Sequence, residues 1–167
     1  MEPTSPPSQV YAAPWGPALR WSSFGLIALT AVIYLSLGLL PGGLNQSYAV
    51  WLLPLLLLGT LPFVIRSYAI SGDELFIRRL FWTTRLPLAG LKSAEVMPRA
   101  MSGSLRICGN GGAFSFTGWF RNKPLGYYRA FVTDLNRTVV LRFEKRTLVV
   151  SPAEPEEFVR KLAPQPS

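Results

Sequence analysis

The chain has 167 residues, 49% of them hydrophobic and only 16% charged, with 17 Lys and Arg against 9 Asp and Glu and no histidine. A charged share this far below the usual quarter is expected of a chain that places part of its length in lipid. Without histidine the commonest metal ligand and general base are missing, and the single cysteine, Cys108, excludes an internal disulfide and any multi-cysteine metal site. Charge is also unevenly placed. Glu2 and Arg20 cancel, so the whole net +8 lies beyond residue 65, where it can face anionic lipid, nucleic acid or an acidic protein.

Residues 1–20 hold Pro3, Pro6, Pro7, Pro14 and Pro17 among Ser, Ala and Gly, and read as a disordered proline-rich tail. They carry no basic residue before Arg20, and no small-residue cleavage site follows the next apolar run, so that run is expected to be retained rather than cleaved. Residues 21–65 contain no Asp, Glu, Lys or Arg. Pro41-Gly42-Gly43 divides them into apolar runs at about 21–40 and 48–65. At roughly 1.5 Å per residue each run is close to the ~30 Å hydrocarbon core of a bilayer. The pattern predicts a transmembrane helical hairpin over residues 21–66, joined by a short link at 41–47. Arg20 and Trp21 supply the basic and aromatic anchors of an interface, and Pro54, Gly59 and Pro62 predict a bent second helix. The link has no Lys or Arg, whereas Arg66, Arg78, Arg79 and Arg85 follow the second run. By the positive-inside rule both termini face the cytoplasm, in a multi-pass protein of the inner (plasma) membrane.

From residue 67 the texture changes to short β-branched and aromatic runs separated by turns. A first hairpin is expected from residues 67–71 and 74–82 around Gly72-Asp73. Thr83-Thr84 then turns into 85–88, and further strands are expected at 93–97, 105–108, 113–120 and 126–133. Gly109-Asn110-Gly111-Gly112 reads as a loop, because it lacks the Lys-Ser/Thr ending and the strand–turn–helix context of a phosphate-binding motif. A last hairpin joins 138–143 to 146–150 through Glu144-Lys145. There Val139, Leu141 and Phe143 alternate with Val140 and Arg142, the period of a half-buried strand. Ser151-Pro152-Ala153-Glu154 has the spacing of a capping box and opens a helix with an apolar stripe of Phe158, Val159 and Leu162, which Pro164 ends.

About seven strands followed by one capped helix is the order of a pleckstrin-homology (PH) domain, and the chain resembles the bacterial PH-domain membrane proteins. The residues that carry the resemblance are those at 68–75 (Tyr68 to Leu75), Gly109 to Gly112, Gly118-Trp119-Phe120, Leu125 to Tyr128, and Ser151 to Phe158. The resemblance spans residues 67–163, leaving 164–167 as a tail. It implies an α+β fold: an N-terminal transmembrane helical hairpin, then a PH-like β-roll of about seven strands in two orthogonal sheets, capped by the C-terminal α-helix. It implies no particular chemistry. The inositide-binding pattern of eukaryotic PH domains, a Lys early in a long first loop with a downstream Arg, is not evident.

Arg78, Arg79 and Arg85 lie just past the membrane boundary and form either a solvated face or a contact with anionic headgroups, where each cation contributes about 1 kcal/mol. Trp119, Arg121 and Lys123 combine a large apolar ring with two cations, either as strand packing or as an interfacial wedge. Tyr127, Tyr128 and Phe131 interleave with Arg129 in a texture that can stack on bases, but no nucleic-acid motif accompanies it and no nucleic-acid partner is expected. The carboxylates are scattered and form no nucleophile–base pair. Cys108, in a strand with no histidine to activate it, reads as a buried structural thiol. The expectation is a non-enzymatic integral membrane protein, without cofactor, metal or catalytic residues. Its cytosolic PH-like domain binds a protein partner, a second copy of itself or the anionic membrane surface. The alternative is an accessory subunit, or scaffold, of a larger membrane enzyme or transporter.

Overall fold

The computed structural model describes residues 9–38 and 51–162. The first described element is a strand, β1 (Gln9–Ala12), and the helix α1 (Pro17–Gly38) follows it. The second apolar run contributes α2 (Leu52–Thr60) and one 3-10 turn (Leu61–Phe63) at Pro62. Nine strands come next: β2 (Ile65–Ser71), β3 (Glu74–Arg79), β4 (Thr83–Pro87), β5 (Leu91–Val96), β6 (Leu105–Gly111), β7 (Phe116–Asn122), β8 (Gly126–Val132), β9 (Val139–Phe143) and β10 (Thr147–Val150). Helix α3 (Pro155–Leu162) ends the described chain. The expected seven strands are thus exceeded, although the α+β order with its closing helix holds.

Two sheets form the domain. One is antiparallel in the order β1-β2-β3-β4; the other has the order β5-β9-β10-β8-β7-β6, with β10 and β8 parallel. Between them lies a core of Ile65, Tyr68, Leu75, Ile77, Phe131, Leu141, Leu148 and Phe158, each at most 2% exposed. A second core covers the other face of the six-stranded sheet, where Ala100 and Met101 close over Phe120, Tyr128, Val132, Val140 and Val149. The alternation in β9 therefore marks two buried faces rather than one: Leu141 serves the first core and Val140 the second. The covering segment is tied down by Met97 N–H to Thr138 O at 2.9 Å and Asn122 Nδ2 to Ala100 O at 2.8 Å.

The expected disordered tail is corrected for residues 9–20. β1 pairs with β2 in antiparallel register, Tyr11 opposite Tyr68, and alternation buries Tyr11 and Ala13 in the first core. Tyr11 lies edge-on to Phe158 at 5.1 Å, and Ala153 N–H donates to Ala12 O at 3.0 Å, so α3 and β1 hold each other in place. Prolines that oppose regular structure in isolation serve here as corners, and Pro17 stands at the first helical position, where its missing donor costs nothing. Helix α1 consequently starts before residue 21, with Leu19 and Ser23 buried against the domain.

Ser151 is likewise not a helix cap. The helix opens at Pro155, with Phe158 N–H bonded to Glu154 O at 3.0 Å. The Ser151 hydroxyl instead accepts Thr133 N–H at 2.8 Å and Asp134 N–H at 3.2 Å, and lies 3.3 Å from the Tyr68 hydroxyl. Tyr68 donates to Phe131 O at 2.7 Å, a hydrogen bond that joins the two sheets through their shared core. Burial pushes the Tyr68 phenol up to about 12 from its ordinary value of 10.0. Among the described residues the Tyr11 hydroxyl, also buried, has no hydrogen-bond partner.

The two tyrosines should therefore respond oppositely to loss of the hydroxyl. Tyr68→Phe orphans buried acceptors and donors and should lower unfolding free energy by about 1–3 kcal/mol. Tyr11→Phe should be neutral or stabilising, while Tyr11→Ala, a large-to-small change in the core, should cost about 3–5 kcal/mol. Denaturant titration of the detergent-purified chain measures all three. A raised phenol pKa means that the unfolded chain ionises first as alkali is added. The stabilisation is complete below pH 10 and is lost between pH 10 and about 12, and Tyr68→Phe should remove this tyrosine's share of the alkaline loss, leaving that of the likewise raised Tyr11 and Tyr128 phenols.

Candidate functional site

Helix α1 of 22 residues and mean apolar character fits a membrane anchor; it is the one described helix long and apolar enough to cross a bilayer. The described part of the second run is shorter, and the predicted link at 41–47 lies outside the described residues. Where α2 ends, the chain passes through Phe63 directly into β2, and Leu80 N–H donates to Val64 O at 3.1 Å. This bond fixes the β3–β4 turn beside the end of the apolar helix. The turn is Leu80-Phe81-Trp82 rather than the predicted Thr83-Thr84, which begin β4. Its Phe81 is 71% exposed, although it is as apolar as any core residue.

Arg79, at the end of β3, departs most from expectation. In place of a solvated cation, its side chain is buried, 8% exposed, among the rings of Phe63, Trp82 and Phe131 at 5.6, 5.6 and 5.3 Å. The rings Phe63 and Trp82 meet edge to face at 5.5 Å. Arg79 Nε has no hydrogen-bond partner among the described residues, and no carboxylate pairs with the guanidinium. Desolvation, and then the positive charge of Arg129, hold its pKa below the usual arginine value. Arg129 on β8 lies over the same Phe131 ring, 4.8 Å from its centroid.

Phe63, Arg79 and Arg129 line a cavity of about 570 Å³ between the two sheets, at the end of the domain where the apolar run joins β2. Its rim includes Thr60 and Phe63 from the end of the apolar run, Arg106 from β6, and Trp119 from β7, which stands opposite Arg129 in the ladder. The glycine patch is part of it. Gly109 continues β6 instead of forming a loop, and faces Gly118 of β7. Both have positive φ, 119° and 140°, and a Cβ on either would lie within 2.3 Å of a backbone oxygen of the opposite strand. Only two glycines allow this close crossing of β6 and β7, and their backbone lines part of the cavity. Cys108, expected to be buried, is exposed because β6 is an edge strand.

The other predicted site residues disperse. Arg78 lines a neighbouring cleft with Arg66, and Arg85 lies over the outward ring of Phe76 at 5.7 Å. Arg121 stacks on Tyr127 at 5.0 Å, and Lys123 is exposed in the β7–β8 turn. Only Arg79 and Trp119 of the six come together in the cavity. Arg106 and Phe63 escaped the sequence reading, which weighed Arg129 only as part of a base-stacking texture. Arg129 and Phe131, two apart on a strand and hence on one face, were the available signal.

Two sheets with a helix packed on their edges, and a buried tyrosine bond between them, define a PH-like β-roll. The chain belongs to the Bacterial PH domain family, whose profile matches residues 66–165. No curated protein and no solved structure matches the chain.

A charge that is desolvated, repelled by a neighbour and unpaired is not there for stability. Arg79→Met keeps the length and the ring contacts, and should unfold at the same or a higher temperature than the parent chain when no anionic lipid is present. A melting midpoint more than a few degrees lower would show that the guanidinium supports the fold.

Proposed function

We propose that the chain is a two-span integral protein of the inner (plasma) membrane with both termini in the cytoplasm. Its bacterial PH domain works, without catalysis, as a binding module seated against the anionic surface of its own bilayer. The β1–β2 ladder supports the two spans: the chain enters and leaves the apolar segment at one sheet, so the number of crossings is even. Tyr34 meets Trp51 at 5.8 Å, while Ile27 and Leu57 line a groove with them, the register of antiparallel neighbours. At roughly 1.5 Å per residue α1 reaches about 33 Å, enough for one crossing with its first turns docked on the domain.

The observation that carries the surface reading is the Leu80-Phe81-Trp82 turn. It is bonded to the end of the membrane helix and flanked by the exposed cations Arg66, Arg78 and Arg85. Aromatic rings at headgroup depth, with arginines reaching to phosphates, are the usual furniture of an interface. A soluble partner would not need this apolar tip at the level where the chain emerges from lipid.

Spin labels test the seating on the intact chain in nanodiscs containing anionic lipid, in a Cys108→Ser background. A label at Phe81→Cys should be reached by oxygen and shielded from a water-soluble relaxant. One at Asp73→Cys, at the opposite end of β3, should show the reverse. Equal exposure of both labels to water would end this reading, and a stoichiometric larger complex on native purification would favour the accessory-subunit alternative. Reporters fused at either terminus should be active only in the cytoplasm.

A further inference from the structure

We propose that the open cavity lined by Arg79, Arg129 and Trp119 is a binding site for a phosphate group, taken from the bilayer side as an anionic headgroup. Three features on the molecule lead there. Two cations, Arg79 from one sheet and Arg129 from the other, converge on a space of about 570 Å³ that no carboxylate lines. One of them, Arg79, is more than nine-tenths buried and leaves Nε without a partner among the described residues. Finally, the backbone of Gly109 and Gly118 lines the same space.

Phosphate suits this arrangement better than a carboxylate or a simple halide. Its several oxygens can accept from more than one planar guanidinium at once, and such charge-assisted pairs are about twice as strong as neutral ones. A bound dianion or monoanion would relieve the repulsion between Arg79 and Arg129 and satisfy the orphan donor. The volume lies in the range of small-molecule sites, about 300–1,000 Å³. Thr60 and Phe63 on the rim belong to the segment leaving the apolar run, which favours a lipid as the source. That source rests on the membrane-seated reading above; recognition of the phosphate itself does not.

The test uses the full chain in neutral detergent, titrated with short-chain phosphatidic acid, short-chain phosphatidylcholine and glycerol 3-phosphate, and followed by tryptophan fluorescence and calorimetry. Phosphatidic acid should bind saturably, one per chain, and phosphatidylcholine at least tenfold more weakly. Arg129→Gln and Arg79→Met should each weaken phosphatidic acid about ten- to a hundredfold. Arg78→Gln and Arg121→Gln, outside the cavity, should change it less than twofold. If Arg79→Met does not fold, Arg129→Gln decides. Binding of glycerol 3-phosphate as tight as that of phosphatidic acid would support the phosphate site with a soluble source; binding of the lipid alone supports the bilayer source. Binding lost equally in Arg78→Gln and Arg129→Gln, or no saturable binding at all, overturns the site. Either result leaves the seating of the domain to be judged independently by the depth of the residue 81 label.

Discussion

The ladder between β1 and β2 constrains everything else in this protein. It pairs residues that flank the whole apolar segment, so the segment must leave the domain and return to it at one place. Once the ends are joined, α1 cannot tilt freely. Trp15 lies 6.0 Å from Phe114, and Ser22 and Ser23 of its first turns bond to Gly112 and Phe114 in the β6–β7 turn. A tether between a membrane helix and a soluble domain is ordinarily a flexible linker, whereas here both connections are made of paired backbone and buried side chains. The domain is therefore held in a fixed orientation to the first turns of α1.

That orientation accounts for the chemistry of the two ends. At the end where the apolar run joins β2, the fold presents an aromatic turn, exposed arginines and a cavity holding a buried guanidinium with no carboxylate partner among the described residues. The other end of β3 presents Gly72-Asp73 and a cleft that includes Lys92 and Asp73, a mixed polar surface suited to water. Burying Arg79 among three rings costs desolvation that cation–π contacts only partly offset, at about 0.5–2 kcal/mol each. A fold optimised for stability alone would place an apolar side chain there. The neighbouring Tyr68–Ser151 network shows the contrast: it is just as deeply buried, yet its hydroxyls are satisfied, and it joins β2 to β8 and β10.

How far each feature could be read from residues follows from the range of the interaction behind it. The apolar run, the late β9–β10 hairpin, the apolar stripe of α3 and the PH-like order depend on neighbours within a turn or a hairpin, and the chain displays them openly. Ser151 misled because the capping-box spacing is local, whereas the hydroxyl's partners, Thr133 and Tyr68, are 18 and 83 residues away. The glycine patch misled because glycine marks a loop and a strand crossing alike. Which of these it serves depends on the backbone opposite, here Gly118.

By itself, then, the amino-acid order displayed an apolar run that fits a membrane anchor and a basic β-roll with a closing helix after it. Period, length and charge asymmetry are properties of a segment and its solvent. Only the tertiary structure decided that the proline-rich start is a core strand, that Arg79 is buried rather than solvated, and that Arg106, Arg129 and Phe63 share one cavity with it. Those outcomes depend on which strands lie side by side, and side chains from four distant segments become neighbours only after the sheets have closed.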